Sequence, residues 1–245
     1  MKLGKTIGTG NTASVYDWEE GKVLKLFHLG YPIEAVENEF NNARAIRNMD
    51  FLKPKAYGII SYEKRVGIIY DKVEGESLLE WVMRTKDLQA CSIQMGKLHR
   101  TIGQNNISNV PNYKDFLKNH IPNVMLTIEK QKELTQRIDK LPDGTILCHG
   151  DFHPGNILIS DGNAYVIDFM NLCHGDFLYD IARTVFLIEF TPVSSEVSEK
   201  EKEMMLFFKK SLTDLYLKQM DVTREMLEDY LSIIRVLRKG ECPKE

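Results

Sequence analysis

Residues 148–171 read CHGDFHPGNILISDGNAYVIDFMN. ILIS at 157–160 and AYVI at 164–167 are apolar, strand-like runs, and the Asp-Gly within the SDGN between them is a strong tight-turn signal. A two-residue loop puts Asn156 opposite Ile167, whereas a three-residue loop puts it opposite Asp168. In either register an amide oxygen and a carboxylate meet at the open end of one hairpin. Hard oxygen donors in an incomplete set suit Mg²⁺, which keeps waters and takes further ligands from phosphates. The pair therefore points to a nucleotide. Asp151 precedes Asn156 in a loop that Pro154 and Gly155 keep from becoming helix. A carboxylate held there can orient a hydroxyl and accept its proton as a phosphorus–oxygen bond forms. Taken singly, Asp151, Asn156 and Asp168 are ordinary turn and strand-end residues; their joint spacing carries the chemistry.

The same stretch admits a soft-metal reading, because Cys148, His149, His153, Cys173 and His174 flank the hairpin. Their spacing matches none of the usual structural zinc patterns, and adjacent residues point to opposite sides of an extended chain. His149 and His153 are expected to support the loop, and the cysteines to be plain thiols.

A phosphate site needs partners elsewhere, and the first thirty residues supply them. IGTGNTASVY sets Gly8 and Gly10 at a strand-to-strand turn, where backbone amides near Asn11 and Thr12 can approach a phosphate. Lys25 lies in the apolar strand VLKLF and needs a counter-charge. Pro32 opens a helix whose inward face carries Val36, Phe40 and Ala43, and Glu39 falls nearer the centre of that face than Glu34 or Glu37. Glu39 is the expected partner of Lys25, and together they would set an ammonium on the α- and β-phosphates.

Outward from these stretches, residues 5–27 read as strand, turn and strand, with a tight turn at 19–22, and 56–62 and 65–72 as two further strands. Strand character ends at Gly75, and 71–75 form the expected link to a helical remainder. Residues 77–103 read as a helical pair and 105–113 as a polar loop. Ser198 with Glu201 forms a capping box for a helix bearing Met204, Phe208, Leu212 and Leu215 on one side. Met226, Tyr230, Ile233 and Leu237 mark a last amphipathic helix.

The chain has 245 residues and a formal net charge of −3, which excludes an overall basic field for nucleic acid or an anionic membrane. No apolar run approaches the roughly 18 residues of a membrane span, and the start MKLGKTIGTG lacks the apolar core of a signal peptide. Cys91, Cys148, Cys173 and Cys242 form no CxxC pair, which suits thiols in a reducing, cytoplasmic setting.

HGDFHPGNIL, then VIDF, then GDFLYDIA resemble the signature of the aminoglycoside phosphotransferase and choline kinase-like family, small-molecule kinases with a protein-kinase-like fold. The resemblance runs to about Ile188. It implies an α+β, two-lobed architecture: a small antiparallel-sheet lobe with one main helix over 1–74, which binds nucleotide, and a larger helical lobe over 75–245 carrying the catalytic loop, metal site and acceptor site. It implies Asp151 as catalytic base, Asn156 and Asp168 as Mg²⁺ ligands, Lys25 on the phosphates with Glu39 as its ion pair, and Asp71 and Val73 as linker positions whose backbone holds adenine. It casts Asp180 as the aspartate that braces the catalytic loop, and His149 as the histidine preceding the base. ATP, with GTP as a possible substitute, would be the donor, and the hydroxyl of a small molecule the acceptor, in a monomer by default. Ala13 and Met170 depart from the glycines of protein kinases, and only seven residues separate Asp168 from Asp176. Both features weigh against a protein kinase, the alternative enzyme reading. A non-catalytic nucleotide-binding module is the other alternative, although base and metal ligands are all present. The charges in 103–144 are mixed, and Phe177, Tyr179, Phe186 and Phe190 read as core before they read as a cage for a quaternary ammonium.

Overall fold

The computed structural model of the chain describes residues 3–193 and 197–241. Cys242, and Glu196 at the start of the solvated helix face that the sequence suggests over 196–203, lie outside the described residues. Strands β1 (Thr6–Thr9), β2 (Ala13–Asp17) and β3 (Lys22–Phe27) lead to helix α1 (Ile33–Ala45), followed by β4 (Ala56–Tyr62) and β5 (Arg65–Asp71). A short β6 (Glu76–Ser77) runs into α2 (Leu78–Thr85), α3 (Leu88–Gly103), α4 (Tyr113–His120) and α5 (Ile128–Lys140). Then come β7 (Ile146–Cys148), β8 (Ile157–Ser160), β9 (Asn163–Val166) and β10 (Cys173–Gly175), and the helices α6 (Phe177–Glu189), α7 (Glu199–Met220) and α8 (Glu228–Glu241).

Contacts divide the chain into two compact units. The first comprises Met1–Ser77 and Asn156–Asn171; the second comprises Leu78–Gly155 and Leu172–Glu245. The hairpin that the sequence assigned to the 75–245 lobe is thus grouped with the first unit. The reason is pairing: β6 joins β8 at Glu76↔Ile159 and Ser77↔Leu158, and Val166 N–H donates to Leu52 O at 2.9 Å. Gly75 is required at this junction, because a Cβ there would lie 1.9 Å from the Ile159 carbonyl oxygen.

In the first unit an antiparallel sheet of order β1-β2-β3-β5-β4 supports α1. The turn expected at 19–22 closes with Lys22 N–H on Glu19 O at 2.9 Å. Leu24, Leu26, Phe27, Val36, Ile46 and Ile68 are fully buried. On α1, Val36, Ala43 and Glu39 face inward as expected, but Phe40 is only partly covered and Asn42 is buried in its place.

In the second unit β7 and β10 pair antiparallel, and α3, α6, α7 and α8 pack around Met95, Phe152, Tyr179, Val185, Tyr216 and Ile234. The capping box of Ser198 and Glu201 is formed. The inward stripe of α7 is displaced from its expected place: Met204 is exposed, and Leu212, Thr213, Tyr216, Leu217 and Met220 are buried. This helix is 22 residues long, and its fully buried residues are confined to its C-terminal half. In α8, Tyr230, Ile233 and Leu237 are buried while Met226, just ahead of the helix, is exposed. Among the described residues no helix is long and apolar enough to cross a membrane.

Candidate active site

The first unit contains a charge cluster built on three elements. Strand β3 seats Lys25 between Val15 of β2 and Ile68 of β5. Its Nζ donates to Glu39 Oε1 at 2.8 Å, Glu39 Oε2 at 2.9 Å and Asp168 Oδ1 at 3.0 Å. Glu39 is 1% exposed, and Tyr70 OH donates to its Oε1 at 2.9 Å. Burial pulls the Lys25 pKa down, but Asp168 and Glu39 raise it above its ordinary value. Burial pushes Glu39 up; Lys25 draws it back, Asp168 pushes it up again, and the net direction is upward. Burial is thus the largest cause at Glu39, whereas at Lys25 the two carboxylates that share its ammonium outweigh burial and hold it in its charged form. The cluster is left with an excess negative charge that a further cation would neutralise.

Asp168 reaches this cluster because the hairpin has a two-residue loop. Asp161 (φ 48°) and Gly162 (φ 78°) both adopt positive φ, as a type I′ turn requires, and Ser160 pairs with Asn163. Of the two registers the sequence allowed, the shorter loop is therefore the one formed. Ile167 N–H donates to Asn156 O at 3.0 Å, and Asp168 follows with φ 66°, a conformation that Asp and Asn tolerate better than other side chains. From α1, Asn42 Nδ2 donates to the carbonyl oxygens of Phe169 at 2.8 Å and Met170 at 3.4 Å, and Tyr31 OH donates to Met170 Sδ at 3.1 Å. The donor set fits a hard divalent cation: a carboxylate and an amide, both oxygen donors, at one hairpin end beside surplus negative charge.

Gly10 leads into the strand-to-strand bend as expected, whereas Gly8 lies inside β1, paired with Val15. Neither has a positive φ, a Cβ on Gly8 would meet nothing within 4 Å, and one on Gly10 would meet only Ala13 O at 3.6 Å. Crowding therefore does not require glycine at either position, although a register shift lies between Thr6 and Gly8. Asn11 and Thr12 form the bend, and His28 clasps it: its N–H donates to Thr12 O at 2.9 Å, and its Nε2, 3.2 Å from Gly10 O, donates to that carbonyl. Ala13, standing where protein kinases have glycine, is buried in β2 opposite Phe27. At the linker, Asp71 N–H donates to Lys55 O and Lys72 N–H to Gly21 O, while the Asp71 carboxylate accepts from Tyr57 OH at 2.6 Å and Lys55 N–H at 2.9 Å. The Asp71 side chain thus shapes the linker, and its own amide is spent inside the sheet. A surface cavity of about 430 Å³ in this unit is lined by Asp17, Trp18, Glu20, Lys72 and Glu74 and includes none of the expected site residues.

The second unit holds Asp151 in the loop after β7. Asp180, with no exposure, accepts from His149 N–H at 2.7 Å through Oδ2 and from Gly150 N–H at 2.8 Å through Oδ1. Arg183 Nε donates to Gly150 O at 3.1 Å, and Asp151 N–H donates to His149 Nδ1 at 3.2 Å. His153 supports the loop, with Nδ1 accepting from Gly155 N–H at 3.1 Å and Nε2 lying 4.0 Å from Asp151 Oδ2.

Burial alone would raise the Asp180 carboxyl. The charge and hydrogen bond of His99, the His149 ring and the Gly150 amide outweigh it and hold the group below its ordinary value. A depressed folded-state pKa contributes stability that is present above the unfolded-state value of about 4 and is lost as pH falls through the folded value. Asp180→Asn is therefore expected to cost about 3 kcal/mol at pH 7, as breaking a buried charged network does. The gap to the parent should stay constant down to about pH 5 and narrow below about pH 4. Urea midpoints from pH 7 to 3 check this, and a gap that widens on acidification contradicts it.

Among the described residues no three His, Cys, Asp or Glu side chains gather as a metal site. Cys148 and Cys173 instead face each other across β7 and β10 as buried thiols, the Cys148 pKa pushed well up by its bond to Cys173 and by burial. Tyr179 and Phe186 are core, Phe177 meets His99 edge-on, and Phe190 stacks on Phe186 under Arg235. Asn42, Tyr70, His28, His99 and Arg183 were missed from sequence. The one available signal was Asn42, a polar residue three positions after Glu39 on the same helix face.

Residues 4–201 match the sequence profile of the phosphotransferase enzyme family. No curated protein matches the chain by sequence. Among solved structures, an amicoumacin kinase in complex with AMP-PNP and Ca²⁺ is similar with a TM-score of 0.63 and 17% identity, over 98% of this chain and 80% of that one. An aminoglycoside-3′-phosphotransferase of type VIII is similar with a TM-score of 0.64 and 15% identity, over 98% and 93%. An aminoglycoside phosphotransferase from Streptomyces rimosus in complex with ADP and streptomycin gives 0.60 and 16%, over 91% and 90%. At such identities the likeness bears on fold, and that fold is the kinase-like α+β arrangement expected from the sequence.

Proposed function

The chain belongs to the phosphotransferase enzyme family and is a small-molecule phosphotransferase; from that premise we propose that it moves the γ-phosphate of ATP to a hydroxyl of its acceptor, with Mg²⁺ as its metal. The carrying observation is the Lys25–Glu39–Asp168 cluster, a fixed ammonium between a buried carboxylate and one at a hairpin end. Neighbours solved with AMP-PNP or ADP support the nucleotide.

Glu39 and Tyr70 hold Lys25 extended so that its ammonium meets the α- and β-phosphates. Amides of the Asn11 and Thr12 bend beyond Gly8 and Gly10 follow the phosphate chain, since the Gly10 amide itself donates to Ala13 O at 2.8 Å. The carbonyl of Asp71 and the amide of Val73 read adenine, since the amides of Asp71 and Lys72 are engaged in the sheet. Asn156 and Asp168 hold Mg²⁺, which when bound supplies charge neutralisation on the phosphate oxygens. Asp151 orients the acceptor hydroxyl and takes its proton as the new oxygen–phosphorus bond forms and the bond to the ADP oxygen breaks. The short path from Asp168 to Asp176, the N-cap of α6, leaves little room for a protein kinase's activation segment and supports a small acceptor.

The test is ADP release from Mg²⁺-ATP across a panel of aminoglycosides, amino alcohols, sugars and generic peptides. Stimulation by a small hydroxyl compound is expected. Robust transfer to peptides with none to any small molecule would overturn the proposal.

A further inference from the structure

His99 on α3 has no exposure, and both of its ring nitrogens are engaged. Nε2 lies 2.9 Å from Asp180 Oδ2, and Nδ1 lies 2.6 Å from the Tyr216 hydroxyl on α7. The Asp180 carboxylate only accepts, so Nε2 carries a proton toward it. The His99 ring also stacks on Phe152, with centroids 4.2 Å apart and planes inclined by 30°.

These contacts fall on both sides of one residue. Asp180 clamps the amides of His149 and Gly150, just before Asp151, and Phe152 follows it. Gly150 has φ 74°, and glycine can leave that conformation at little steric cost. Rotation at Gly150 would swing Asp151, so the clamp must be rigid, and a carboxylate is rigid only when its plane is fixed. The two amides hold it from the loop side. His99 holds it from α3, and Tyr216 holds His99.

We propose that His99 is a positioning residue for phosphoryl transfer, fixing the plane of the Asp180 carboxylate and the seat of Phe152 and thereby the placement of Asp151. The proposal rests on the reading of Asp151 as base. His99 does not touch the reacting atoms; it acts through the loop.

The test compares His99→Leu, His99→Gln and Tyr216→Phe with the parent chain. Val185→Ala, a buried truncation on α6 outside the contacts above, serves as a stability control. Turnover is measured with Mg²⁺-ATP and the acceptor found by the panel. Hydrogen exchange of the His149 and Gly150 amides is measured on the protein without nucleotide. His99→Leu is expected to lower kcat about 100-fold, the scale of an ångström-level misplacement, with KM for ATP within about twofold. His99→Gln, which restores an N–H donor, should recover about tenfold of that loss. Exchange at His149 and Gly150 should accelerate about tenfold or more in His99→Leu and not in Val185→Ala. Parental kcat in His99→Leu overturns the proposal, as does a loss of kcat no greater than the control shows at equal loss of melting temperature. If His99→Leu does not fold, Tyr216→Phe decides: lowered kcat with unchanged KM for ATP supports the proposal, and no change overturns it. Asp151→Asn separates the two readings. Full turnover there removes the base and leaves exchange to judge His99, whereas a dead Asp151→Asn beside a fully active His99→Leu removes the role of His99 alone.

Discussion

Asp168→Asn is expected to lose phosphoryl transfer by about 10³-fold or more while its melting temperature stays level or rises. The two halves of that expectation share one origin. Asp168 is the second carboxylate on Lys25, and its charge helps push Glu39 upward. An amide at this position removes the surplus charge and relieves Glu39, and Asn accepts φ 66° as readily as Asp does. The same change takes a carboxylate from the oxygen pair that would hold Mg²⁺. Thermal melts without nucleotide and turnover with Mg²⁺-ATP check both halves. Full activity in this variant would remove the metal role of Asp168, and a large fall in melting temperature would show that the repulsion in the cluster had been misjudged.

Asp151→Asn is the second large effect, with a fall in kcat of about 10²–10⁴-fold, the range for removal of a general base. Asp151 is fixed through its backbone, whose N–H donates to His149 and whose preceding residues Asp180 holds. An amide of nearly the same shape leaves that scaffold in place, so stability and KM for ATP should change little. Steady-state kinetics with the panel's acceptor give the answer. A loss expressed only in KM would point to substrate binding and away from proton transfer.

What could be read from the sequence was governed by the range of each contact. Asn156, Asp168 and the turn between them are local, and Asp-Gly with flanking apolar runs limits the hairpin to two registers. Glu39 could be oriented because helical geometry alone places it on the inner face. The partners that hold these groups come from distant segments: Tyr70 is 31 positions from Glu39, Asn42 is 127 from Phe169, and His99 is 81 from Asp180. A lone histidine in an amphipathic helix carries no local mark of such a contact. The stripe of α7 failed for a related reason. Periodicity reveals which residues share a face, but where along the helix that face finds a partner depends on the rest of the fold.

Grouping Asn156–Asn171 with Met1–Ser77 also governs the order in which the chain can mature during synthesis. When residues 1–77 leave the ribosome, β6 lacks β8 and Lys25 has Glu39 but not Asp168. The first unit cannot finish until Leu78–Gly155 and then the hairpin have been translated, so its last step is a long-range closure with a slow search. Nascent chains stopped before residue 157 should hold a protease-sensitive N-terminal sheet, and chains released after residue 171 a resistant one.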